Sequence, residues 1–130
     1  MIEFRIESSS GAPPYRQIVH QVRQALTLGV LVQGDQLPTV KEVVGQVTIN
    51  PNTVLKAYRE LEMEGLAEGR PGVGTFITRS LVGSSLAAHH KLQVDLRRWL
   101  HKARSAGLDD ASIQALFEST FRSASNEEIA

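Results

Sequence analysis

Residues 39–65 read TVKEVVGQVTINPNTVLKAYRELEMEG, and two helix starts lie inside that stretch. Thr39 and Glu42 have the spacing of a capping box, in which a hydroxyl and a carboxylate satisfy backbone N–H groups left over at a helix start. A helix therefore begins at Val40, carries Val40, Val43, Val44 and Val47 on one stripe, and lasts only about two turns. Asn50-Pro51 marks a second start. Asparagine is a favoured N-cap, and proline at the first helical position gives up only an N–H that has no helical partner. Val54, Ala57, Tyr58 and Leu61 then recur at i, i+3, i+4 and i+7, and Gly65 suits the left-handed residue that closes such a helix.

Upstream, Ile18, Val22, Ala25 and Leu26 recur at helical spacing and predict a helix from about residue 14 to 28, ended by Gly29. Residues 2–7 alternate apolar and charged side chains, the pattern of a short strand or extended arm with one buried face. The serine, glycine and proline run at 8–14 breaks it, and residues 34–38 read as a turn. Downstream, residues 66–68 and 75–78 read as two strands flanking 69–74, whose glycines and proline supply a turn. The result is a β-hairpin with Arg70 at its tip.

Composition limits what such a chain does. At 130 residues it builds one core and a small appendage, with no room for a large catalytic domain. A content of 42% hydrophobic and 22% charged residues is that of an ordinary globular protein. With no cysteine there is neither a disulfide framework nor a thiolate metal site, and a reducing compartment is the simpler expectation. No stretch approaches the roughly 18 uncharged apolar residues of a membrane span, so a cytoplasmic protein is expected. His20, His89, His90 and His101 are scattered, and the adjacent His89 and His90 point to different sides of a helix. No metal site, cofactor or catalytic centre is expected. The glycine-rich 69–74 segment opens a strand rather than a helix, which excludes a phosphate-binding loop of the nucleotide kind. Lys plus Arg and Asp plus Glu both total 14, so no basic excess points to nucleic acid and the local arrangement has to carry any such case.

Two helices joined by a tight turn, the second followed by a hairpin, form the winged helix-turn-helix plan, whose second helix enters the DNA major groove. On the helix at about 51–64, the side opposite Val54, Ala57 and Leu61 displays Asn52, Lys56 and Arg59 at i, i+4 and i+7. Asn50 and Thr53 stand at its N-terminal end. Asparagine pairs bidentately with adenine, threonine bonds a base or packs on a thymine methyl, and lysine or arginine reaches guanine or phosphate. Taken alone, the same residues are also caps and a solvated face; the whole array tips the reading toward DNA. Lys41 on the preceding helix and Arg70 on the wing at 66–78 extend the cationic surface, with Arg79 a weaker candidate. Gly72 either lets the hairpin tip approach the DNA backbone or serves the turn alone. The alternative is a winged helix used for protein–protein contact without sequence-specific DNA binding.

From Leu81 onward the pattern is helical again, with Leu92, Leu96, Trp99, Leu100 and Ala103 on one face. Asp109 caps a last helix bearing Ile113, Leu116, Phe117 and Phe121. A lone helix pair cannot bury that much apolar surface. Leu92, Leu96, Trp99, Leu100, Leu116, Phe117 and Phe121 are therefore expected to pair two copies, the alternative being packing back on the N-terminal domain. The fold expected is mainly α with a small β-hairpin: a winged helix-turn-helix domain over 1–79, a helical dimerisation segment over 80–123, and a fraying tail over 124–130.

Four motifs then fall in the order and spacing of the GntR family DNA-binding domain: Pro14-Tyr15-Arg16-Gln17-Ile18, Gly34 through Glu42, Asn50-Pro51-Asn52-Thr53-Val54 with Ala57 through Glu62, and Gly65-Leu66 through Gly72-Val73-Gly74-Thr75-Phe76. The chain resembles that family over roughly residues 5–78. The resemblance implies a homodimer that binds a short palindromic operator in double-stranded DNA, usually to repress transcription. The short two-helix C-terminal part resembles the YtrA subfamily, which lacks a large effector domain; a small-molecule effector is implied only by that analogy. Family members commonly have serine and arginine where this chain has Thr39 and Lys41, both at the DNA-facing helix start. Lysine holds a phosphate but cannot make arginine's planar two-pronged contact. Val44-Gly45 replaces a usual Leu-Ala pair, which loosens the short helix.

Overall fold

The local signals at the helix starts act as the sequence requires. In the computed structural model, which describes residues 1–81 and 86–129, α1 spans Pro14–Thr27, α2 Val40–Gln46 and α3 Pro51–Met63. The Thr39 capping box closes in both directions: the Glu42 N–H donates to Thr39 Oγ1 at 3.1 Å and the Thr39 N–H to Glu42 Oε1 at 3.2 Å. At α3 the Asn52 N–H donates to Asn50 Oδ1 at 2.9 Å, with Pro51 in the first turn. The buried faces of the three helices are Ile18, Val19, Val22, Ala25 and Leu26 on α1, Val43 on α2, and Val54, Ala57, Tyr58 and Leu61 on α3. They enclose one core with Phe4, Leu31, Leu37, Leu66 and Ile77. Val44 departs from the expected stripe and is 38% exposed, so α2 rests on Val43 with Val40 and Val47 at its margins.

After α3 the backbone reverses at Gly65, where the Leu66 N–H bonds the Leu61 carbonyl at 3.0 Å. β1 (Ala67–Arg70) and β2 (Gly74–Ile77) follow as an antiparallel pair in the register Ala67↔Ile77 to Arg70↔Gly74. Residues 34–37, read from sequence as a turn, also pair with β2. Leu37 N–H bonds the Thr75 carbonyl at 2.9 Å, Ile77 N–H bonds the Asp35 carbonyl at 2.8 Å, and Gln36 bridges Phe76. The wing is thus tied to the segment leading into α2.

The N-terminal arm is extended but joins no strand. Two glutamines one turn apart on α1 grip its backbone. Gln21 accepts from the Arg5 N–H at 3.0 Å and donates to the Arg5 carbonyl, while Gln17 does the same at Glu7 at 2.8 and 2.9 Å. Phe4, next to the Arg5 clamp, is buried in the core.

Beyond, α4 spans Leu86–Ser105 and α5 Asp110–Ile129. The helical start expected from Leu81 falls partly on residues 82–85, outside the described residues. Asp109 caps α5 by accepting from the Ser112 N–H at 2.9 Å. Bonds from the Ser112 hydroxyl and N–H lower the Asp109 pKa, because they favour the carboxylate. The helix runs on past Ser123 to Ile129. The chain divides into two units between Leu86 and Ala87.

Candidate nucleic-acid interface

The surface in question is built on α3. Its core side is fully buried at Val54, Ala57 and Leu61, which fixes the roll of the helix. Asn52, Lys56 and Arg59 are consequently exposed on the other side and Thr53 is half-buried. Among the described residues the Asn52 side-chain amide and the Arg59 guanidinium make no hydrogen bond or ion pair, so both are available to a ligand. Asn50 is engaged as the N-cap. Thr39 and Lys41 are exposed at the start of α2, with the Thr39 hydroxyl committed to the cap.

Lys56 does have a neighbour: its ammonium lies 4.1 Å from the centroid of the Tyr15 ring at the start of α1. Arg70, at the end of β1, lies 4.5 Å over the Phe76 ring and 3.9 Å from Glu68. The wing turn itself runs through Pro71-Gly72-Val73, closed by the Val73 N–H on the Arg70 carbonyl at 3.0 Å. Gly72 has φ 73°, the left-handed value that the third position of a proline-led turn demands. Turn geometry alone accounts for that glycine. Gly74 has φ 143°, again a backbone conformation that L side chains rarely adopt, and a Cβ there would also press on the Gln36 amide, which donates to the Val73 carbonyl at 3.3 Å. Between wing and α3 lies an open groove lined by Thr39, Glu62, Arg70, Gly72 and Thr75.

Two contributors escaped the sequence reading. Tyr58 fits the apolar periodicity, yet its buried hydroxyl donates to the Pro38 carbonyl at 2.5 Å and so fastens α3 to the start of α2. Burial, and then the nearby Glu42 charge, raise its pKa well above the usual phenol range. Glu62 places a carboxylate in the groove that Arg70 also lines. Such a group repels phosphate and accepts from a base amino group such as cytosine N4. Tyrosines inside apolar stripes and acids beside basic residues are the only signals that mark either one in advance.

A three-helix core whose third helix carries an exposed polar face, followed by a β-hairpin, is the winged helix-turn-helix arrangement, and residues 14–77 match the bacterial regulatory proteins of the gntR family. The chain is 37% identical over 102 residues to the HTH-type transcriptional regulator Rv1152 of Mycobacterium tuberculosis, covering 78% of this chain and 84% of that protein. The chain belongs to the gntR family. A second relative is the HTH-type transcriptional repressor YtrA of Bacillus subtilis, 42% identical over 76 residues. That match covers 58% of each protein, so the chain spans little more than half the length of this relative. Among solved structures, a transcriptional regulator from Oenococcus oeni is similar at 32% identity and a TM-score of 0.52, over 89% of this chain and 97% of that one. The DNA-binding domain of AraR, solved in complex with operator ORX1, shares the fold at 22% identity and a TM-score of 0.53, over 60% of this chain and all of that one.

Proposed function

We propose that this gntR-family chain is a dimeric, sequence-specific repressor of transcription that inserts α3 in the major groove of a palindromic operator and lays its wing beside it. The observation that carries the reading is the outer face of α3, where the side chains of Asn52 and Arg59 stand exposed with no hydrogen-bond or ion-pair partner among the described residues. Polar groups poised this way at the N-terminal half of a rigid helix are what direct base readout requires. Its relatives, one a transcriptional repressor and one a transcriptional regulator, support it.

In this reading residues 1–79 bind DNA, with Thr39, Lys41, Asn50, Asn52, Thr53, Lys56, Arg59, Arg70 and Gly72 at or near the duplex, and residues 80–123 pair two copies. The role is non-catalytic and cytoplasmic; among the described residues no helix is long and apolar enough to cross a membrane. Two copies related by a twofold axis address half-sites about 34–36 Å apart or a multiple of that.

Selection of bound duplexes from a random pool tests the proposal directly. A twofold-symmetric consensus with a steep salt dependence of affinity is the expected product. Failure to enrich any sequence removes the reading and favours a protein-contact module.

A further inference from the structure

Two cations converge on one aromatic ring where α1 meets α3. The Lys56 ammonium lies 4.1 Å from the Tyr15 centroid and the Arg16 guanidinium 5.6 Å from the same point. Tyr15 is half-buried against the core, so the fold fixes its ring, whereas Lys56 and Arg16 are exposed. Neither cation forms an ion pair with a carboxylate among the described residues. An unrestrained lysine on a helix surface samples many rotamers; over an aromatic face it is held by attraction to the ring quadrupole. That hold draws Lys56 away from the middle of the outer face of α3 and toward the start of α1. An ammonium is a compact, strongly hydrated point charge suited to phosphate.

We propose that Tyr15 is a positioning residue that presents Lys56, with Arg16 beside it, to the sugar–phosphate backbone, which makes Lys56 a phosphate contact and leaves base reading to its neighbours on α3. The inference rests on the DNA-binding reading above and refines it. Holding the side chain before the duplex arrives spares part of the rotamer entropy that binding would otherwise remove.

The test uses the full chain, the selected duplex and a scrambled one, with affinities measured by fluorescence anisotropy across a salt series. Lys56→Ala is expected to weaken binding to both duplexes about equally and to lower the slope of log affinity against log salt by about one. Tyr15→Phe keeps the ring and binds like the parent. Tyr15→Leu removes the ring and loses roughly three- to tenfold in affinity, a loss that largely vanishes when Lys56 is already alanine. Thermal unfolding of every variant accompanies the binding data. Relaxed preference at one base position in Lys56→Ala, with an unchanged slope, overturns the phosphate assignment. An undiminished Tyr15→Leu effect in the Lys56→Ala background, or an equal loss in Tyr15→Phe, overturns the positioning role. Absence of binding by the unmodified protein instead defeats the DNA reading itself, before any variant is compared.

Discussion

Tyr58 links the two helices of the helix-turn-helix through a single buried bond to Pro38, and its ionisation gives that bond a pH signature. The folded-state pKa is raised above the unfolded value of 10.0. Stability from this group is therefore complete below pH 10 and declines as pH rises past it, since the unfolded chain ionises first. Tyr58→Phe leaves the Pro38 carbonyl unpaired in the core, and the expected cost is about 1–3 kcal/mol by urea unfolding at neutral pH. The same variant should lose part of the decline above pH 10; parallel alkaline curves for variant and parent would assign that decline elsewhere. Asn52 belongs to the same scale but to binding rather than stability. Asn52→Ala is expected to relax base preference at one symmetric pair of operator positions and to cost about 1–3 kcal/mol of discrimination there. Repeating the duplex selection with the variant measures this, and an unaltered consensus removes Asn52 from the base readers.

At the scale of elements, α2 is the least secure piece of the domain, a seven-residue helix resting chiefly on Val43. Gly45 lies within it with an ordinary helical backbone, and a Cβ there meets nothing within 4 Å. Gly45→Ala is therefore expected to stabilise the protein by about 0.5–1 kcal/mol, read as a higher urea midpoint, because only backbone freedom of the unfolded chain is lost. Elements such as α2 and α3 were legible in the sequence because their signals are local: a threonine three residues before a glutamate, and an asparagine before a proline. The exposed Asn52, Lys56 and Arg59 followed from the same periodicity. Pairing of residues 34–37 with β2 was not legible, since its partners lie some forty residues away and only the folded wing brings them into register. The arm at 2–7 shows the converse. Its alternation was visible, but periodicity carries no trace of the Gln17 and Gln21 amides that stand in for a neighbouring strand. Nor does spacing along α3 reveal that Lys56 leans on Tyr15, a contact made across two helices.

For the whole molecule, the unit beginning at Ala87 lacks a core of its own. Among its described residues only Ala103 and Ile113 are buried, both close to the turn joining α4 and α5. Leu92 and Phe121 are each 65% exposed, Leu96, Leu116 and Phe117 are exposed as well, and Trp99 and Leu100 are half-buried. Phe117 and Phe121 stack on each other at 6.0 Å, which makes a flat apolar patch without hiding it. A second copy of the same helices is the proposed cover, since dimerisation and twofold operator recognition then have one cause. Leu96→Glu and Phe117→Glu each set a charge into that face, and each is expected to halve the mass measured by light scattering. Affinity for a palindromic duplex should fall by roughly a hundredfold or more while affinity for an isolated half-site stays near the parent's, because only the linkage between two binding events is lost. Full dimer mass in both variants would place the interface on another surface, and equal losses on palindrome and half-site would show that the helices support the DNA-binding domain itself.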